Sequence, residues 1–289
     1  MEINLLTISD PIIRGILLGG LYALVALGLS LVFGVMKLIN VAHGDLTIAS
    51  AYIAFFLGTT FRLDPIISLV IGIPVLFGIG YFIQRVLMNK GFKISMEAPL
   101  IIAFGISVIL QNVFQLQFSP MARGLTPDYV MANWDVGFMK IPLPYLLDFF
   151  VAIGVMIFLR EFLKRTYLGK AINAASQDRI AAQLMGINTN RVYALAFAIA
   201  MALAAIAGVF LGLTFPFYPT AGPTYLIVAF GVVVLGGLGS MLGTFVGGMI
   251  MGLSQTIGGA ILGNSMQMLV AYVIVLIVMT ARPQGIFGK

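Results

Sequence analysis

The stretch "INVAHGDLTI", Ile39 to Ile48, sets an amide (Asn40), an imidazole (His43) and a carboxylate (Asp45) within six residues, between two long apolar runs. Such a trio is costly in hydrocarbon unless it faces water, a cavity or polar partners. Two roles fit. The residues line a solute pathway or gate at the cytoplasmic side, or Asn40 or Asp45 caps the next helix while His43-Gly44 shapes a tight turn. The two roles are compatible. His43 is the only histidine and cysteine is absent, which excludes multi-histidine and thiolate metal sites, disulfides and iron–sulfur clusters. No catalytic residue and no metal ligand is expected.

A second polar pair, Gln111 and Gln115, stands four apart in the apolar run 98–118, on one helical face. Its amides suit a solute's polar groups or hydrogen bonds to neighbouring helices. Gly236, Gly237 and Gly239, with Ser240, interrupt the apolar run 223–256 and predict a break or re-entrant turn, a further candidate for pathway or gate. Glycines also recur four apart at Gly15/Gly19, Gly208/Gly212, Gly239/Gly243/Gly247 and Gly248/Gly252, a spacing that lets membrane helices approach closely.

The longest polar run, Lys164 to Val192, carries five basic residues and one acid. Ser176 is placed to cap a helix, with Asp178 in its first turn and Gly186 just past its end. Within "QDRIAAQLM", Gln177 to Met185, Ile180, Leu184 and Met185 give this helix an apolar face beside Arg179 and Ala181. The residues leave two fates open: a helix lying on lipid headgroups, or a peg inserted into a partner's groove.

The elements that must carry these residues are membrane helices. The chain has 289 residues, 61% hydrophobic and 9% charged, against about 25% charged in soluble domains. That is too little charge for a solvated globular surface. We expect one all-α polytopic domain over 1–289, with about eight spans of roughly 20 residues, near 12–34, 44–60, 66–87, 98–118, 144–163, 192–214, 223–256 and 265–281. The net charge of +6 fits basic cytoplasmic loops better than a nucleic-acid surface. Basic loops 85–97 and 160–191 are expected inside, loop 119–143 with Trp134 outside or at the interface, the N-terminus with Glu2 outside, and the C-terminus "TARPQGIFGK" inside if 223–256 breaks. No cleaved signal is read at the N-terminus. Asp45 and Asp148 are expected at span edges, and this scarcity of buried acids argues against a proton-driven pump. The pattern G-x-x-x-x-G-K-[ST] is missing: "LGKA" lacks the hydroxyl residue, and Lys164 stands where the first glycine would be. The chain therefore needs a partner to hydrolyse ATP, if ATP drives it.

Three blocks, "GLYALVALGLSLVFGVMKLINVAHGDLTIASAYIAF", "LGKAINAASQDRIAAQLMGINTNRVYALAFAIAMALAAIAGVF" and "AFGVVVLGGLGSMLGTFVGG", together resemble permease subunits of branched-chain amino acid ABC importers, and the H-type of the two permeases in particular. The resemblance implies that the loop at 164–191 holds a coupling helix at Ala174–Gly186 that docks on an ATP-binding subunit. It implies a second, related permease, two ATP-binding subunits that bind ATP and Mg, and a solute-binding protein outside, in a bacterial or archaeal cytoplasmic membrane. It implies no cofactor on this chain. Relatives for urea, amides or other small solutes leave the solute open, and a self-sufficient secondary transporter remains the contrasting class.

Overall fold

The computed structural model describes residues 5–95, 97–135 and 140–288; Glu2 and Lys289 lie outside the described residues. Helices appear where apolar runs were expected. The central one is α1 (Leu5–Met36), apolar around its whole circumference because other helices cover it nearly everywhere. It packs on α11 (Met241–Leu262), α9 (Thr189–Thr214), α6 (Leu143–Arg165) and α10 (Gly222–Gly236). Around it stand α2 (His43–Phe61), α3 (Leu69–Phe82), α5 (Ala98–Phe118) and α12 (Gln267–Ala281). A π-helical turn, Ile83–Met88, joins α3 to a three-residue turn, α4 (Asn89–Gly91). Among the described residues, seven helical segments are long and apolar enough to cross a membrane; α6 adds a 23-residue helix along α1. The protein is an all-α polytopic membrane protein.

Glycine spacing explains how α1 meets α11. A Cβ at Gly252 would stand 2.3 Å from Gly15 O, and one at Gly248 would stand 2.6 Å from Gly19 O. The two glycine pairs therefore interlock backbone against backbone, which only residues without side chains permit. The same holds where α10 meets α11: a Cβ at Gly236 would stand 2.1 Å from Gly243 O. These spacings serve packing inside the chain.

The run 223–256 does break, at Gly237–Ser240, with Gly237 at φ 104° and Gly239 at φ 83°. The first piece, α10, has 15 residues, about 22 Å, short of a hydrocarbon core of about 30 Å. The second, α11, is full length. Because α10 begins inside the bundle, the C-terminal segment returns to the end where α1 finishes: Ile286 N–H donates to Leu235 O and Phe287 N–H to Gly236 O.

The bundle has two distinct ends. At one, the C-terminal ends of α1 and α6, helix α7 (Tyr167–Gln177) and the turn at Gly239 surround a cavity of about 300 Å³. At the other, Arg14 Nη2 donates to Lys140 O at 3.2 Å, and Arg123 and Phe217 pair backbone to backbone. Trp134 lies at that second end, exposed on β1 (Asn133–Asp135), opposite Ile141 on the antiparallel strand β2 (Lys140–Pro142).

Candidate functional site

The trio Asn40, His43 and Asp45 lies deep in the bundle, not at its cytoplasmic rim. His43 Nε2 stands 2.9 Å from Val25 O. Val25 lies eleven residues before Met36, the end of α1, or about 16 Å up the helix. Gly28 makes room there: a Cβ on it would stand 2.9 Å from the His43 ring and 2.8 Å from Ala200 O. The chain thus leaves α1, turns back into the bundle through the buried residues Leu38, Asn40 and Ala42, and starts α2 near mid-depth. Irregular backbone at this depth is tolerated where protein surrounds it.

Local bonds build the turn. Asn40 Oδ1 accepts from Ala42 N–H at 3.2 Å, and His43 N–H donates to Asn40 O at 3.0 Å. Neither Asn40 nor Asp45 caps α2, whose N-cap position is held by Ala42 with no side-chain cap. Asp45 instead reaches across to α5. Its Oδ2 accepts from Ser107 Oγ at 2.6 Å and its Oδ1 from Gln111 Nε2 at 3.1 Å. Gln111 also donates to Ser107 Oγ at 3.1 Å, which closes a three-residue ring.

The N-terminus of α10 completes this centre. A Cβ at Gly222 would stand 2.1 Å from Asp45 Oδ1, and one at Gly44 would stand 1.9 Å from Gly222 O. Two helix N-termini therefore converge on one carboxylate, and the partial positive charge of each favours an anion. Among the described residues, Asn40 Nδ2 and His43 Nδ1 are buried without a hydrogen-bond partner. The arrangement has the form of interrupted helices that meet inside a transport bundle.

The other expected pathway residues do not all join this centre. Gln115, one turn beyond Gln111, is exposed on α5. Gly236, Gly237 and Gly239 sit at the far end of α10, where Gly239 packs on Gly34 and Gly237 on the C-terminal segment. Asp45 and Asp148 are both buried; Asp45 lies deep in the bundle rather than at a span edge, whereas Asp148 stands in the first turns of α6 and its Oδ2 accepts from Oγ1 of Thr214, the last residue of α9, at 2.7 Å. Donors on facing helices satisfy both Asp45 oxygens and one Asp148 oxygen, while Asp148 Oδ1 has no hydrogen-bond partner among the described residues. The acid-scarcity argument against a proton-driven mechanism loses its force accordingly. Ser107 escaped sequence reasoning; its signal was its place four residues before Gln111 on the same helical face.

The polar run forms two helices, not one. Thr166 caps α7, its Oγ1 accepting from Gly169 N–H at 2.9 Å. Asp178, in extended backbone, separates α7 from α8 (Arg179–Leu184) and caps it, accepting from Ile180 and Ala181 N–H at 2.8 and 3.0 Å. Ser176 is not the cap: it lies inside α7 and its hydroxyl donates to Asn173 O. Ala174 belongs to α7 as well. Gly186, at φ 82°, ends α8: its N–H donates to Gln183 O, and Ile187 N–H donates to Ala182 O.

The two helices divide the labour of contact. On α7, Ala171, Ile172 and Ala175 are buried against the bundle. On α8 only Ala182 is buried, while Ile180, Leu184 and Met185 are 70%, 84% and 83% exposed. Arg179 stacks on the Tyr193 ring at 5.6 Å and Gln183 Nε2 donates to Thr189 Oγ1 at 2.7 Å, which pins α8 to the start of α9. The result is a short rod, tied to a transmembrane helix, that projects three large apolar side chains away from the bundle.

These features define a class: a multi-pass helical membrane protein with interrupted helices and a projecting apolar rod at one end. The sequence pattern of the family described as "Branched-chain amino acid transport system / permease component" matches residues 12–279. The chain belongs to that family. It is 33% identical to the high-affinity branched-chain amino acid transport system permease protein BraD of Pseudomonas aeruginosa, over 97% of this chain and 95% of BraD. It is 31% identical to the permease protein LivH of Escherichia coli, over 100% of this chain and 98% of LivH. Against LivM of the same organism the identity is 26%, over 92% of this chain and 67% of LivM. In fold it resembles a chain of PsaBC from Streptococcus pneumoniae, solved in complex with Fab, with a TM-score of 0.51 and 13% identity over 95% of this chain and 92% of that one.

Proposed function

We propose that this chain is the H-type permease subunit of an ATP-driven importer for branched-chain amino acids. It forms the translocation pathway with a second, related permease. Full-length likeness to BraD and LivH, each named for high-affinity branched-chain amino acid transport, supports the solute class. Weaker likeness to LivM supports a second permease related to this one. ATP and Mg bind on partner subunits, and a solute-binding protein delivers solute on the opposite side.

The observation that carries the coupling role is the exposure of Ile180, Leu184 and Met185 on a helix pinned to α9. Apolar side chains of that size each contribute about 1.5–3 kcal/mol when buried, so a partner surface that covers them gains grip. Motion of that partner passes through Arg179–Tyr193 and Gln183–Thr189 into α9, and from α9 through Ala200 and Gly28 to the turn at His43. The ring Asp45–Ser107–Gln111 then acts as a latch between α2 and α5 that one state closes and the other opens. A ligand or nucleotide shifts such a device only by its differential affinity for the two states.

Orientation follows from charge. Lys90, Lys93, Lys164, Arg165, Lys170, Arg179 and Arg191 crowd the end that carries α7 and α8, whereas Arg14, Arg62, Arg123 and Lys140 are the described cations of the other. The positive-inside rule puts α7, α8 and the C-terminus in the cytoplasm and the N-terminus outside.

The test is purification from native membranes without crosslinking, followed by reconstitution. We expect an ATP-binding subunit and a second permease to co-elute, and leucine uptake that requires ATP. Leucine flux through this chain alone, in vesicles without nucleotide, would replace the proposal with a self-sufficient transporter. The buried carboxylates Asp45 and Asp148 give that second reading its one point of support.

A further inference from the structure

At the end opposite α7 and α8, a cavity of about 540 Å³ opens between the C-terminal end of α2 and the segment 124–129. The volume falls within the roughly 300–1,000 Å³ of small-molecule sites. Its walls carry both signs of charge. Arg62 ends α2 in the left-handed region, at φ 54°, which turns the chain so that its side chain borders the cavity. Asp64 and Asp128 border it too. Among the described residues, Arg62 makes no ion pair with either acid, and the Asp128 carboxylate accepts no hydrogen bond. Opposite charges thus line one hollow without neutralising each other directly.

Asp64 is held in place. Its Oδ1 accepts from Ile66 N–H at 2.8 Å and from the Tyr129 hydroxyl at 3.2 Å, which leaves Oδ2 free among the described residues. Burial, and then the Asp64 charge beside it, raise the pKa of the Tyr129 hydroxyl, so it stays a neutral donor. Phe55, Leu63 and Leu125 give the wall its large apolar side chains, beside the hydroxyl residues Thr59 and Thr126.

We propose that this cup is a subsite for an apolar α-amino acid in its zwitterionic form. Arg62 takes the carboxylate, Asp128 and the free oxygen of Asp64 take the ammonium, and Phe55, Leu63 and Leu125 receive the hydrocarbon side chain. A guanidinium suits a carboxylate because its planar fork offers parallel donors. A solute with one charge satisfies half of the wall and leaves the other half unmatched. The inference rests on the import reading: the cup faces the side from which solute arrives, and it is a first stop ahead of the Asp45 latch.

Ligand-observed NMR titrations of the full chain in lipid nanodiscs test it, with three probes: L-leucine, 4-methylpentanoate, which lacks the ammonium, and 3-methylbutylamine, which lacks the carboxylate. We expect leucine to bind saturably and each half-ligand at least tenfold more weakly. Arg62→Gln should weaken leucine at least tenfold and leave 3-methylbutylamine unchanged. Asp128→Asn should weaken leucine and leave 4-methylpentanoate unchanged. Both side chains are exposed, so unaltered elution profiles will certify folding. No saturable binding of leucine to the unmodified chain, or equal affinity in both variants, overturns the subsite. Failure here with ATP-driven leucine uptake by the assembled importer leaves the transport reading standing. Binding here without uptake by the assembled importer does the reverse.

Discussion

Ser107→Ala isolates one bond of the mid-depth centre. The hydroxyl donates to Asp45 Oδ2 at 2.6 Å, a short bond to a carboxylate buried to 1% exposure. Hydrogen bonds to charged groups contribute about 1.5–3 kcal/mol. Between membrane helices, measured values average about 0.6 and reach about 1.7 kcal/mol. A carboxylate whose one other side-chain donor among the described residues is Gln111 belongs at the top of the second range, so we take about 1.5 kcal/mol. At roughly 2–4 °C per kcal/mol for chains of this order, the melting temperature in detergent should fall by about 3–6 °C. Asp45→Asn exchanges one acceptor for a donor and should break the same ring. The double variant should therefore cost little more than the worse single one. Differential scanning fluorimetry on the purified chain reads all four corners of this cycle. A shift below about 1 °C for Ser107→Ala, or simple additivity, would refute the claim that Asp45 is tied to α5 through Ser107.

Gly252→Leu should abolish the folded, monodisperse chain, because even a Cβ there would stand 2.3 Å from Gly15 O, whereas Gly78→Ala should be neutral, having open space around it; size-exclusion profiles separate the two. Labelling of single cysteines in intact cells should place Lys170→Cys and Arg282→Cys on the cytoplasmic side and Asp128→Cys outside, and any other partition contradicts the orientation read from charge.

Much of this architecture was legible in the chain. Apolar runs gave the helices, because in hydrocarbon every backbone group must be bonded within its own segment, and the polar breaks gave their ends. Glycines four apart announced close helix approaches, but that Gly15 and Gly19 meet Gly252 and Gly248 was visible only in the fold. Gly237 and Gly239 marked the broken run. Depth was not legible. "INVAHGDLTI" looks like a turn at the membrane surface, and only tertiary contacts with Val25 and Gly222 show that α2 and α10 begin inside the bundle. Cap choice was half legible: Gly186 ends α8 as its position suggested, but Asp178 outcompetes Ser176 because extended backbone at 178 divides the segment. Ser107 was missed because one serine in an apolar helix carries little pattern by itself, and only its place four residues before Gln111 could have singled it out.

The central claim is that α8 grips a motor the chain does not contain. The direct measurement is ATP-driven leucine uptake by the assembled complex carrying Ile180→Glu and Leu184→Glu. Both residues are exposed, so the variant should reach the membrane in normal amount, and we predict that uptake is lost. Uptake at the unmodified rate would contradict the claim.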